Sequence, residues 1–343
     1  IPFMMRNCFA YRHLAGVPTV LTIHNAQYQG WIGWDKSSYL PAWDTWQWGL
    51  LDWDNMINPL ACAIKCADRV STVSPTYMEE LTENANGLES LFIQERFKCS
   101  GILNGIDTVV WNPATDTYIL DNYSLEDAQA GKQLNKKKLC TDFKLDAKLP
   151  LFIYIGRLVV EKAADLLPQA IADSISQLGN KMNFLILGSG DKKVENQLTY
   201  LNGNFAGYYN SRIGYNEKLA HQMYAGADFI LMPSRVEPCG LNQMYALRYG
   251  TIPIVRSTGG LKDTVTDIGE PNARLNDTVG QGFGLRFNHA SVWDITYSIH
   301  RAVELFDDTE KMTVIIKQIM QIDNSWEKSA EKYINLYTSI QLK

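Results

Sequence analysis

The chain has 343 residues, 46% hydrophobic and 20% charged, with a formal charge of −5; its length supports about two domains with ample core, and its acidic balance excludes nucleic acid or an anionic membrane as the natural partner. No apolar run reaches the ~18 residues of a membrane span, and the N-terminus lacks the basic-then-apolar layout of a secretory leader. Cys8, Cys62, Cys66, Cys99, Cys140 and Cys239 are scattered without zinc-site spacing, so reduced thiols in a cytoplasmic setting are expected, with no metal.

Pro18-Thr-Val-Leu-Thr-Ile-His24 is β-branched and apolar and reads as the first buried strand. Its carboxyl end carries His24-Asn25, and ligands collect at such ends in open α/β sheets. His24 is therefore a candidate for facing a developing charge or a substrate hydroxyl; a strand terminus satisfied by a loop carbonyl is the equal alternative. The stretch from Trp31 to Trp53 also holds Trp34, Trp43, Trp46 and Trp48. Aromatic faces stack on sugar rings, but an insertion packed by its own aromatics is the preferred reading, with one or two Trp left to meet an acceptor.

Asn58 to Cys66 reads as helix, Ala67 to Val73 as strand, and Ser74-Pro75 as the capped start of another helix. Gly101 to Pro113 is strand-like and breaks at Asn104-Gly105, a turn dipeptide. From Ala114 to Lys148 the chain turns polar, with Asp121, Glu126 and Asp127 ahead of Lys132 and Lys136-Lys-Lys138. That pattern predicts a solvated helix crossing between domains.

A second α/β unit begins at Leu151-Phe-Ile-Tyr-Ile155, closes with Gly156-Arg157 and continues into a helix from Ala163 to Leu178. Arg157 and Lys162 flank the strand's ligand-facing end, where two cations would clamp a diphosphate; the bland alternative pairs Lys162 with Glu161 or Asp165. Phe184 to Gly190 is the next strand and turn, whose lone Gly188-Ser-Gly190 is weak evidence of dinucleotide binding. Asn204 to Tyr209 reads as a shorter strand. Tyr215, ahead of a helix from Glu217 to Ala225, is a candidate for stacking on a nucleotide base, against an ordinary loop aromatic; His221 within that helix reads as packing. Gly226 to Pro233 is a buried strand, followed by a loop and a helix that Gly250 stops. Strand, loop and helix N-terminus leave backbone N–H groups converging near Gly240, Leu241 and Asn242, so an anion is expected there. Glu237 sits just before, placed to accept from sugar hydroxyls. After Val265 comes a loop, tightest from Gly280 to Gly284, and Trp326 to Tyr333 begins the last helix.

Arg235-Val-Glu-Pro-Cys-Gly-Leu-Asn-Gln, Tyr249-Gly-Thr-Ile-Pro-Ile-Val-Arg256 and Thr258-Gly-Gly-Leu-Lys-Asp-Thr-Val265 resemble the C-terminal signature of bacterial glycogen synthases and plant starch synthases. Thr22-Ile-His-Asn25 with Tyr28-Gln-Gly30, and Gly156-Arg-Leu followed by Lys162, are similar to further segments of that family. The resemblance implies an α/β fold of GT-B type, with two Rossmann-like domains facing a cleft. Its divisions would be residues 1–145 for the acceptor-side domain with linker, 146–325 for the nucleotide-sugar domain, and 326–343 for a helix returning to the first domain.

The implied reaction is transfer of glucose from ADP-glucose to the non-reducing end of an α-1,4-glucan, with retention and no cofactor beyond the donor. The implied roles put His24 near the donor glucose, Arg157 and Lys162 on the pyrophosphate, and Glu237 on the sugar. Tyr215, Gly240, Leu241 and Asn242 would serve the nucleotide, and Asn104 the acceptor side. Ala163 departs from the family's Gly and should be tolerable at a helix start; Tyr245 stands where some related retaining transferases carry a second acid. The family's opening Lys-x-Gly-Gly-Leu loop and a later His–Trp segment are missing, so an incomplete N-terminal domain is expected. Competing readings are a phosphorylase with lysine-held pyridoxal phosphate and a non-catalytic nucleotide- or glucan-binding fragment. A nicotinamide oxidoreductase is disfavoured by the lack of Gly-x-Gly-x-x-Gly.

Overall fold

The computed structural model describes residues 1–269 and 282–341; of the tight segment expected at 280–284, residues 280 and 281 lie outside the described residues. Two compact units form: Ile1–Asn104 joined by the stretch from Glu327 onward, and Gly105–Trp326. The division falls at residue 104 where the sequence placed it near 145, because residues 105–145 pack with the second unit.

The first unit holds β1 (Val20–Ile23), β2 (Asp52–Trp53), β3 (Met56–Ile57), β4 (Arg69–Thr72) and β5 (Cys99–Gly101). β1, β4 and β5 form a parallel sheet in the order β1-β4-β5, while β2 and β3 pair as a small antiparallel ribbon. The expected helix Pro59–Cys66 starts where the Asn58 side chain accepts from Ala61 N–H, with Pro59 in the first turn. Ser74 caps Pro75–Glu80 in the same way, accepting from Tyr77 N–H at 3.1 Å. The tryptophans divide. Trp34 donates to Asp52 and Trp53 to the Gly87 carbonyl, and Trp43 packs edge-on against Phe3. Trp46 and Trp48 remain 74% and 56% exposed, so self-packing accounts for only part of the insertion.

The second unit is built on β6 (Leu151–Leu158), β7 (Asn183–Gly190), β8 (Tyr209–Ile213), β9 (Phe229–Met232), β10 (Ile252–Arg256) and β11 (Leu285–Phe287). They form one parallel sheet in the order β11-β10-β9-β6-β7-β8. β9 is buried along its whole length, as expected when helices cover both faces of a parallel sheet. Chain order reverses between β6 and β9, the switch point at whose carboxyl end such sheets bind ligands.

Three expectations are corrected here. Gly188-Ser-Gly190 is not a turn but the end of β7: a Cβ on Gly188 would lie 2.1 Å from the Gly156 carbonyl oxygen, and one on Gly190 2.4 Å from that of Leu158. These glycines let two strands approach. Asn204 to Tyr209 is not a strand either. Asp191 caps the helix Lys192–Asn204, the chain turns through Gly207 at φ 92°, and only then does β8 begin.

The polar stretch before Lys148 forms the helix Ala128–Phe143, whose Lys132, Asn135 and Lys136 are buried rather than solvated. Lys136 pairs with Asp228 at 2.6 Å, and Lys132 Nζ donates to Thr251 Oγ1 at 2.9 Å and to the Tyr249 carbonyl at 3.1 Å. Burial drives the Lys132 ammonium down to about 7. The unfolded chain keeps Lys132 protonated up to roughly pH 10, so between those values it binds the extra proton and stability rises with pH. Denaturant melts from pH 6 to 9 should therefore show wild type gaining stability relative to Lys132→Met; parallel pH curves would refute the assignment.

All six cysteines are free. Cys62 and Cys66 share a hydrogen bond that raises the first thiol and lowers the second. Among the described residues no helix is long and apolar enough to cross a membrane.

Candidate active site

The loops leaving β6 and β9 are stitched together at the switch point. Arg235 N–H and Val236 N–H donate to the Glu161 carbonyl at 2.8 and 3.2 Å, and the Arg235 guanidinium bonds Asp165 and the Val160 carbonyl. From β10, Arg256 donates to the carbonyls of Ser234 and Arg235. This lattice fixes a cation and an acid in contact: Lys162 Nζ lies 2.7 Å from both carboxylate oxygens of Glu237. Ser234 Oγ donates to the same carboxylate at 2.8 Å, and the pair is largely buried, at 19% and 10% side-chain exposure.

The bland pairing of Lys162 with Glu161 or Asp165 gives way to Glu237, because Asp165 is held by Arg235. Arg157 stands at the end of β6 with 59% of its side chain exposed and a 3.5 Å contact to Glu161. The buried Tyr154 hydroxyl donates to the Arg157 carbonyl at 2.8 Å. Burial and then the Glu237 carboxylate raise that phenol, while the Arg157 charge lowers it, so acid and cation act on one buried group.

Gly240 takes φ 72°, and the helix that follows is short, Asn242–Arg248. The Asn242 side chain donates to the Ile155 carbonyl at 2.6 Å, tying this helix start to β6. Gly259 and Gly260 complete the wall: a Cβ on either would lie 2.1 Å from a backbone oxygen, that of Glu237 or of Cys239. Sequence reading noted this Gly-Gly only as part of a signature, and it missed Ser234, which no motif marks. Tyr215 follows β8 and is 87% exposed. His24 and Asn104 belong to the first unit; His24 is exposed just past β1, and Asn104 is half-buried beyond β5.

Two departures acquire physical reasons. Ala163 does not start a regular helix: it holds φ 53°, ψ 29° between two 3₁₀ turns, a left-handed geometry in which Ala costs about 1–2 kcal/mol and Gly does not. Tyr245 stacks at 3.9 Å on Trp111, whose other face stacks at 3.9 Å on His221. His221 also bonds Asp116 at 2.7 Å, which takes the Tyr249 hydroxyl at 2.6 Å. Burial opposes ionisation of Asp116, but these bonds win and hold its carboxyl below the ordinary range. A carboxylate at position 245 would give up this ring stacking and place its charge against the face of Trp111.

A doubly wound parallel sheet in this strand order, with its cations and one carboxylate at the switch point, is the α/β arrangement of the GT-B class. Residues 1–94 match the family described as starch synthase catalytic domain, and residues 135–273 match glycosyl transferases group 1. A glycogen synthase of Flavobacterium johnsoniae is 54% identical over 99% of this chain and 70% of its own length. Glycogen synthase 1 of Rhizobium radiobacter is 40% identical over 96% of this chain and 68% of its own. Among solved structures, the catalytic domain of starch synthase IV from Arabidopsis thaliana, bound to ADP and acarbose, superposes with a TM-score of 0.86 at 34% identity, covering 98% of this chain and 70% of that one. The chain belongs to the glycogen and starch synthase family of glycosyltransferases.

Proposed function

We propose that the chain transfers glucose from ADP-glucose to the non-reducing end of an α-1,4-glucan with retention of configuration. The hard part of that reaction is carrying negative charge onto a leaving diphosphate while positive charge grows on the sugar. Arg157 and Lys162 answer the first need, together with the N–H groups near Gly240, Leu241 and Asn242, as preorganised charge that requires no reorganisation during reaction. Glu237 answers the second, orienting sugar hydroxyls and favouring the cationic ring, with His24 on the donor glucose, Tyr215 on the base and Asn104 toward the acceptor. The observation behind this reading is the Lys162–Glu237 contact at the switch point.

In this reading the lysine has two partners in turn. Without donor it neutralises Glu237; with donor its charge is shared with the diphosphate, which frees the carboxylate to accept from sugar hydroxyls. Incubation with labelled ADP-glucose and glycogen should give label released by an α-1,4-specific exo-hydrolase, with UDP-glucose run in parallel. Failure of both donors ends the proposal.

A further inference from the structure

Away from the switch point, the helices Leu167–Leu178 and Val292–Asp307 pack against each other and enclose a hollow of about 360 Å³ lined by Trp293, Tyr297, Thr296, His300, Asp173 and Gln177. At its rim Trp293 and Tyr297, one helical turn apart, hold their rings within 4° of parallel with centroids 5.4 Å apart. They are 70% and 54% exposed. Two adjacent exposed aromatics form an apolar patch of the kind that marks an interaction site.

Beneath them lie polar atoms with nothing to bond. Thr296 is only 6% exposed, yet its Oγ1 has no hydrogen-bond partner, and neither does the buried His300 Nε2. Leaving such groups unpaired costs about 1–3 kcal/mol each, but neither atom is accessible in this structure, so a ligand's hydroxyls would meet the more open lining groups first. Asp173, which takes one bond from Gln169 at 2.6 Å, and Gln177 offer further acceptors and donors on the opposite helix.

An apolar ring face beside a row of hydroxyls describes a pyranose: its C–H face stacks on aromatic rings while its edge hydrogen-bonds. A neutral polymer also meets no repulsion from a chain of net charge −5. We infer that this surface is a second, non-catalytic α-glucan site, which holds a polymer chain while its non-reducing end is extended elsewhere. The choice of α-glucan as occupant rests on the proposed function; the ring-and-hydroxyl chemistry stands apart from it.

The test is native affinity electrophoresis through gels containing glycogen, with wild type, Trp293→Ala, Trp293→Phe and Trp293→Ala/Tyr297→Ala. Stacking of this kind predicts a dissociation constant about fivefold weaker for Trp293→Ala, partial recovery in Trp293→Phe, and the greatest loss in the double variant. With maltotetraose as acceptor, kcat and the KM for ADP-glucose should stay at wild-type values. Retardation of the double variant equal to wild type overturns the inference, as does unchanged retardation with a lower sedimentation-derived mass than wild type, which would make the face a contact between copies. If wild type transfers no glucose to any acceptor, the catalytic reading fails; gel retardation still reports on this surface separately.

Discussion

Lys162→Ala should lower kcat/KM for glucose transfer about 10²- to 10³-fold, the usual effect of removing one preorganised charge from a developing oxyanion. It should also destabilise the fold, because Glu237 is 7% exposed and would keep only the Ser234 hydroxyl among the bonds described above. Breaking a buried pair from one side costs about 3 kcal/mol. Rate loss and stability loss separate in Lys162→Met/Glu237→Gln, where both charges go. Its stability should return to within about 1 kcal/mol of wild type, since a buried pair adds little net energy over neutral groups of like volume. Its transfer rate should remain at the floor. Stopped assays with ADP-glucose, set beside urea melts, make the comparison. Recovery of rate together with stability would show that the pair is structural.

Gly260→Ala should be nearly as damaging although it adds only a methyl group. The added methyl would sit 2.1 Å from the Cys239 carbonyl oxygen, too close for any contact, so the loop from Arg235 to Asn242 must retreat. Overpacking of that kind costs roughly 1–3 kcal/mol. Glu237 moves with the loop, and a displacement on the order of 1 Å at a reacting group is worth about 10²-fold in rate. Gly16→Ala is the control, since nothing lies within 4 Å of its added carbon. A Gly260→Ala chain with wild-type kcat would mean that the Gly-Gly contact does not set the position of Glu237.

Most strands were legible because a parallel sheet covered on both faces demands unbroken apolar runs, and Phe229–Met232 or Ile252–Arg256 admit little else. Caps were legible at Asn58 and Ser74, where a side chain and a following proline act locally. What failed depended on distant partners. Lys132 and Lys136 look solvated in sequence, yet Thr251, Tyr249 and Asp228 take them inside. Ala163 looks harmless until its φ of 53° is known. That Arg157, Lys162 and Glu237 lie at one end of the sheet could be read from position and charge, but the direct lysine–glutamate contact could not. Lys162 and Glu237 come from loops after different strands, and only strand order makes them neighbours.

Calorimetric titration of ADP into wild type and Arg157→Ala tests most directly whether the cations at this switch point grip a diphosphate. The exposed guanidinium should be worth at least about tenfold in ADP affinity, with adenosine binding unchanged. Equal ADP affinity in the two proteins would contradict the assignment.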